Sequence, residues 1–211
     1  MPFIAFEGTE GAGKSTQIGR LAAELTNRGY QVVVTREPGG TTIGEAIRQV
    51  LLSGSHDAML PEAEALLNTA ARAQHVSEVI QPALRAGKVV LTDRFSGSTL
   101  AYQGYGRGLD QADLVALQRF AFGDLRPDLT LLLDVPVDVG QARRRASEKA
   151  LDRLDAASVD FHLRVRDGFL QLARQDPQGW RIIRADRPAA DVSREVLAAV
   201  EAVLTLVARE R

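Results

Sequence analysis

The chain of 211 residues carries 26 basic and 27 acidic residues, three histidines and no cysteine. Near-neutral charge argues against a nucleic-acid-coating or membrane-hugging protein, and the absence of thiols excludes disulfides, thiolate metal sites and cysteine nucleophiles. Hydrophobic residues at 45% and charged residues at 25% fit one sizeable α/β domain, spanning 1–211, with a core of its own.

Short β-rich apolar runs alternate with longer helical patterns along the chain, as in a parallel sheet with crossover helices. The first strand is predicted at 3–7. It begins without a basic leader, and no later apolar run approaches the roughly 20 residues of a membrane helix. The expectation is a soluble, cytoplasmic chain with no membrane or nucleic-acid partner. The strand runs into FEGTEGAGKSTQ, where GTEGAGKS fits G-x-x-x-x-G-K-[ST] at Gly8, Gly13, Lys14 and Ser15. Glycines let backbone N–H groups converge as a nest for phosphate oxygens. A helix predicted at 13–27, apolar along Ile18, Leu21, Ala22 and Leu25, adds the positive end of its dipole. Gly8, Thr9, Glu10, Gly11, Ala12, Gly13, Lys14, Ser15 and Thr16 therefore read as a triphosphate cradle, with Lys14 for the β- and γ-phosphates and Ser15 for Mg²⁺. Of the 26 basic residues only Lys14, Lys88 and Lys149 are lysine. That bias makes single arginines less informative and Lys14 more so.

A second strand at 32–36 leads into TREPGGT, which holds Arg36 and Glu37. A helix at 42–53 carries Arg48. A long helix at 60–86 starts near Pro61, stops before Gly87 and is expected to kink near Pro82. The third strand, 88–92, ends at Asp93-Arg94, and the loop GYGRG (104–108) precedes a helix at 110–122. The fourth strand, 129–134, shows no alternation, as suits a strand covered on both faces, and ends at Asp134. Helices at 137–147, 155–175 and 189–209 and a strand at 181–183 complete the set. Mg²⁺ needs a carboxylate beside Ser15, and two strands end in one. Asp93 is the candidate because Arg94 follows it directly, whereas Asp134 reads as a helix or turn cap. His56, His75 and His162 are spaced for no metal site. The segment 143–153 is the most charged part of the chain.

TREPGGT, AARAQH and DRFSGSTLAYQGYGRGLD, taken with the phosphate-binding motif and QARRRASEKALDRLD, resemble the thymidylate kinase family over most of the chain. The resemblance implies a three-layer P-loop NTPase fold with a five-stranded parallel sheet flanked by helices. It also implies transfer of phosphate from ATP to dTMP with Mg²⁺, on the route to dTTP, in a homodimer. The form it resembles is the bacterial one, whose P-loop lacks an arginine and whose lid supplies it. By resemblance Arg36, Arg48 and Arg94 surround the acceptor phosphate, Arg94 and Arg48 foremost. Arg36 and Glu37 lie in the loop that lines the acceptor pocket. Arg72 and Gln103 meet the thymine edge with help from Ser98 and Thr99. Tyr102 packs under the deoxyribose, and Glu10 approaches the 3′-hydroxyl or a metal-bound water. Arg143 and Arg145, with Arg144 or Lys149 in support, are the lid arginines. Two departures stand out. A family arginine near Ser147 is missing or shifted, and Asn68 replaces an aromatic residue expected to stack on thymine. The rival readings are a kinase for another nucleoside monophosphate and a P-loop protein that binds nucleotide without catalysis.

Overall fold

The computed structural model describes residues 1–53, 58–147 and 153–209, with side chains to residue 206. Predicted features that involve His56, Glu148, Lys149 or Asp152 lie outside the described residues. Five strands, β1 (Phe3–Glu7), β2 (Val32–Arg36), β3 (Val89–Asp93), β4 (Leu129–Asp134) and β5 (Trp180–Arg184), form one sheet in the order β2-β3-β1-β4-β5. All neighbouring pairs are parallel. Register sets Phe6 beside Asp93 and Asp93 beside Arg36, so the carboxyl ends of β1, β2 and β3 finish together.

Side chains alternate between the faces of the sheet, and each face finds its own helices. On one face Ile4, Phe6, Leu91, Leu131 and Leu133 pack against Ile18, Leu21 and Leu25 of α1 (Lys14–Asn27). Val192, Val196 and Val200 of α9 (Ala189–Arg209) close the same layer. On the other face Phe3, Ala5 and Val90 meet Val76, Ile80 and Phe95, while Leu132 joins Tyr102, Phe161, Val165 and Phe169. This is the expected three-layer arrangement.

The remaining helices are α2 (Thr42–Leu52), α3 (Pro61–His75), α4 (Gln81–Arg85), α5 (Ser96–Thr99), α6 (Gln111–Phe122), α7 (Val137–Arg145) and α8 (Val159–Gln175). The expected kink near Pro82 is a π-helical segment, Val76–Ile80, between α3 and α4. The wider turn accommodates a residue that has no N–H to donate. The stretch expected as a loop around 104–108 is instead largely helical. After α5 the chain continues as a second π-helical segment, Leu100–Gly106. The glycines of α5 and this segment reflect lack of room rather than a turn: a Cβ on Gly106 would lie 2.7 Å from Phe161 and one on Gly97 2.7 Å from Trp180.

Candidate active site

Phosphate-binding geometry follows from the turn between β1 and α1. Gly8, Gly11 and Gly13 all have positive φ, at 136°, 71° and 91°, values that residues with a side chain rarely adopt. Gly11 also has no room for one, because an added Cβ would lie 2.0 Å from the Gly140 carbonyl of α7. Lys14 folds back to donate to the carbonyls of Gly8 and Thr9 at 2.9 and 3.0 Å. Burial, with the charge of Arg94 beside it, pushes the Lys14 ammonium down to about 8. Thr16 is exposed on the first turn of the helix.

Ser15 Oγ donates to Asp93 Oδ2 at 3.1 Å, while Asp93 Oδ1 is buried with no partner. Asp134 takes no part in this corner: Arg166 holds both of its oxygens, at 2.7 and 2.9 Å. Among the described residues no group of three or more His, Cys, Asp or Glu is placed to hold a metal alone. The pair fits Mg²⁺, which favours one or two protein oxygens completed by phosphate and water.

Arg94 joins this corner to the next. It is the one non-glycine with positive φ among the described residues, at 73°, a strained backbone of the kind that concentrates at functional sites. Its guanidinium donates to Gly8 O, Ser98 Oγ, Glu10 Oε1 and Tyr102 OH at 2.9–3.1 Å, and it sits 4.9 Å from the centre of the Tyr102 ring. Burial opposes the Arg94 charge, but Tyr102, Glu10 and Asp93 outweigh it and raise its pKa. Burial likewise pushes the Glu10 carboxyl up, yet Arg94 and Lys14 bring it below its ordinary value. Tyr102 donates to Glu10 at 2.6 Å, and burial raises its phenol well above its ordinary value.

Beside Arg94 opens a cleft lined by Glu10, Glu37, Arg48, Asn68, Ser98, Thr99, Tyr102 and Gln103. These eight residues come from the P-loop, the β2–α2 turn and four helical segments, and all of them were named from sequence. Arg48 donates to the Pro38 carbonyl at 2.8 Å, beyond a cis Glu37–Pro38 peptide. Asn68 turns its amide back to the Glu64 carbonyl at 2.9 Å. Two predicted residues lie elsewhere. Arg72 is 2% exposed beneath the cleft, where it donates to Glu37, Thr99 and the Phe95 carbonyl. Arg36 pairs with Glu45 at 2.9 Å and lines a separate cleft on the far side of Asp93, next to Ser15 and Ile18.

The three lid arginines point different ways. Arg143 donates to the Ala185 carbonyl at 3.0 Å, Arg145 is exposed, and Arg144 lines the acceptor cleft while paired with Asp155 at 2.7 Å.

Several site residues were missed from sequence. Glu7 accepts from the Ser98 hydroxyl at 2.6 Å and from two backbone amides, and burial raises its pKa despite Arg94. His75, buried, ties Glu37 to Thr35. Glu64 holds Gln103, Arg107 and Arg153. Only Glu64 left a readable signal: it lies four and eight residues before Asn68 and Arg72, on the same helix face.

Comparison with known proteins agrees with this arrangement. The family model described as thymidylate kinase matches residues 6–196. A thymidylate kinase from Thermomicrobium roseum is 56% identical over 202 residues, 96% of this chain and 95% of the relative. One from Pseudomonas savastanoi pv. phaseolicola is 52% identical over 90% of each chain. The crystal structure of thymidylate kinase from Ehrlichia chaffeensis superposes with a TM-score of 0.77 at 34% identity, covering 95% of this chain and 98% of that one. With its P-loop and acceptor cleft joined through Arg94, the chain belongs to the thymidylate kinase family.

Proposed function

We propose that the chain transfers the γ-phosphoryl group of ATP to dTMP, giving dTDP for the route to dTTP. The observation that carries this reading is the continuity of the two pockets. One guanidinium, Arg94, touches the P-loop at Gly8 and the acceptor cleft at Ser98, Glu10 and Tyr102. A protein that only senses nucleotide has no need of a second cleft built onto its phosphate cradle.

Catalysis here is positioning and electrostatics. Lys14 exchanges the Gly8 and Thr9 carbonyls for β- and γ-phosphate oxygens, over the N–H nest of Gly8 to Thr16. Ser15 and Asp93 are the residues that would hold Mg²⁺, which when bound neutralises charge between those phosphates. Arg94 and Arg48 turn to the acceptor phosphate, whose guanidinium match is bidentate, and Arg36, paired with Glu45, supports the turn after β2 that holds Glu37. Tyr102 underlies the sugar and Glu10 meets its 3′ side, while Ser98, Thr99, Gln103 and Asn68 frame the base and Arg72, beneath the cleft, holds Thr99 and Glu37 in place. Arg143 and Arg145 swing inward with the lid around 143–153, and Arg144 already stands on the acceptor side. Closure excludes water and limits ATP hydrolysis. The acceptor phosphate is an anion, so no general base is required.

Among the described residues no helix is long and apolar enough to cross a membrane. The reading takes residues 1–211 as one domain of a cytoplasmic enzyme. A coupled assay over dTMP, dUMP, dCMP, dGMP and dAMP tests the reading. Preferred turnover of dTMP is expected; no turnover of any acceptor, or turnover of a purine alone, overturns it.

A further inference from the structure

Glu64 lies outside the cleft wall yet holds one of its residues. It is 1% exposed on α3. Arg153 donates to its Oε2 at 2.6 Å and Arg107 at 3.1 Å, while Gln103 Nε2 donates to its Oε1 at 2.6 Å. Arg153 is fixed in turn by the Leu51 carbonyl, at 3.1 Å. Burial works against the charge of Glu64, but the hydrogen bonds from Gln103 and Arg153 and the charge of Arg107 prevail and hold its carboxyl below the ordinary range.

An ionised carboxylate accepts hydrogen bonds and donates none. The amide of Gln103 therefore has one admissible orientation against it, nitrogen toward Glu64. The reversed amide would set its carbonyl oxygen against a carboxylate oxygen. The amide is planar, with O and N projecting about 120° apart from its carbon. With nitrogen committed to Glu64, the carbonyl oxygen is the acceptor that the amide has left to offer a base. Among the described residues no donor is bound to it.

We infer that Glu64 is a specificity-determining positioning residue: by fixing the Gln103 amide, it makes the base site demand an N–H at the Watson–Crick edge. Thymine offers a donor at N3 and cytosine a lone pair at the same place, so the fixed carbonyl attracts one pyrimidine and repels the other. Two arginines keep the carboxylate charged and still, which denies the amide the freedom to flip and accept both. A site built to pair with one polar group strongly rejects the analogue that lacks it. This rests on the reading of Gln103 as a base contact.

The test compares kcat/KM for dTMP and dCMP, and their dissociation constants by calorimetry, in wild type, Glu64→Gln, Gln103→Leu and the double variant. Glu64→Gln, whose own amide can accept or donate, is expected to lower the dTMP/dCMP ratio about tenfold. In the Gln103→Leu background the same change is expected to leave the ratio within twofold. Should Glu64→Gln fail to fold, Glu64→Asp keeps the charge and withdraws it from Gln103, and its ratio is read the same way. A ratio that falls less than threefold, with both substrates losing equally, overturns the inference and leaves Glu64 a structural anchor. An unchanged ratio in Gln103→Leu instead overturns the reading of Gln103 itself.

Discussion

Asn68 sits where the cleft meets the base, and its amide is spent on its own helix, at the Glu64 carbonyl. An aromatic ring there adds a stacking face, worth roughly 1–3 kcal/mol per base. Asn68→Phe is therefore expected to lower KM for dTMP about fivefold with kcat little changed, by steady-state kinetics; an unchanged KM removes the idea. Glu64 supplies a second prediction at this scale, in pH. Its folded pKa is depressed from 4.5, so the stability it contributes is complete above about 4.5 and is lost as pH falls through the lower folded value. Melting temperature measured from pH 6 to pH 3.5 should fall more steeply in wild type than in Glu64→Gln. The P-loop residues and Asp93 were legible because local spacing and strand ends carry them. Glu7 and His75 were not, because each acquires its meaning from partners far away in the chain, at Ser98 and Glu37; Glu64 left only its spacing on the helix face, and its tie to Gln103 came with the fold. Of the two candidate acids the sequence favoured Asp93, and the fold gives Asp134 to Arg166 and Asp93 to Ser15.

Elements with a strong period were read nearly residue for residue: β1, β2 and β4 match their predicted bounds, and α9 does too. The sequence reads 104–108 as a loop because glycine usually marks a turn. Packing explains it better. Gly97, Gly104 and Gly106 let this helical pair approach Trp180, Gln111 and Phe161, and it brings Ser98, Thr99, Tyr102 and Gln103 to one cleft. Gly106→Ala should lower stability by about 1–3 kcal/mol, the cost of overpacking a tight site, as measured by urea denaturation. At the lid, the placement of arginines predicts a division of effects. Arg145→Ala should lower kcat with KM for dTMP unchanged, by at least tenfold and toward the ~10³ known for transition-state arginines. Arg144→Ala, at the cleft beside Asp155, should raise KM for dTMP instead. Steady-state kinetics on the two variants separates them.

Across the whole molecule, the sheet order places β1 between β3 and β4, so the P-loop emerges where the crossovers diverge to either side. Ligands in open α/β sheets bind at this crevice. Five strands and their parallel direction were legible from alternating element types; the order of the strands was not, because nothing local states which strand lies beside which. The surface carries one further consequence. Leu66 on α3 and Val115 and Phe120 on α6 are exposed, at 57%, 52% and 90%, while α3 and α6 pack together. We propose that these helices meet a second copy of the chain. Sedimentation velocity should show a dimer for wild type and a monomer for the Leu66→Glu, Val115→Glu double variant; a wild-type monomer ends the proposal.

The meeting of Gly11 with the Gly140 carbonyl also bears on history. The bacterial form this chain resembles keeps its arginine out of the P-loop. Here an arginine at Gly11 faces a double bar, a left-handed backbone and a carbonyl 2.0 Å from where its first side-chain carbon must go. At Gly11, moving the charge from lid to cradle therefore takes more than one substitution, because α7 has to withdraw at Gly140 as well. Glycine at this contact and the close approach of α7 are thus coupled, and a change to one has to be answered by the other.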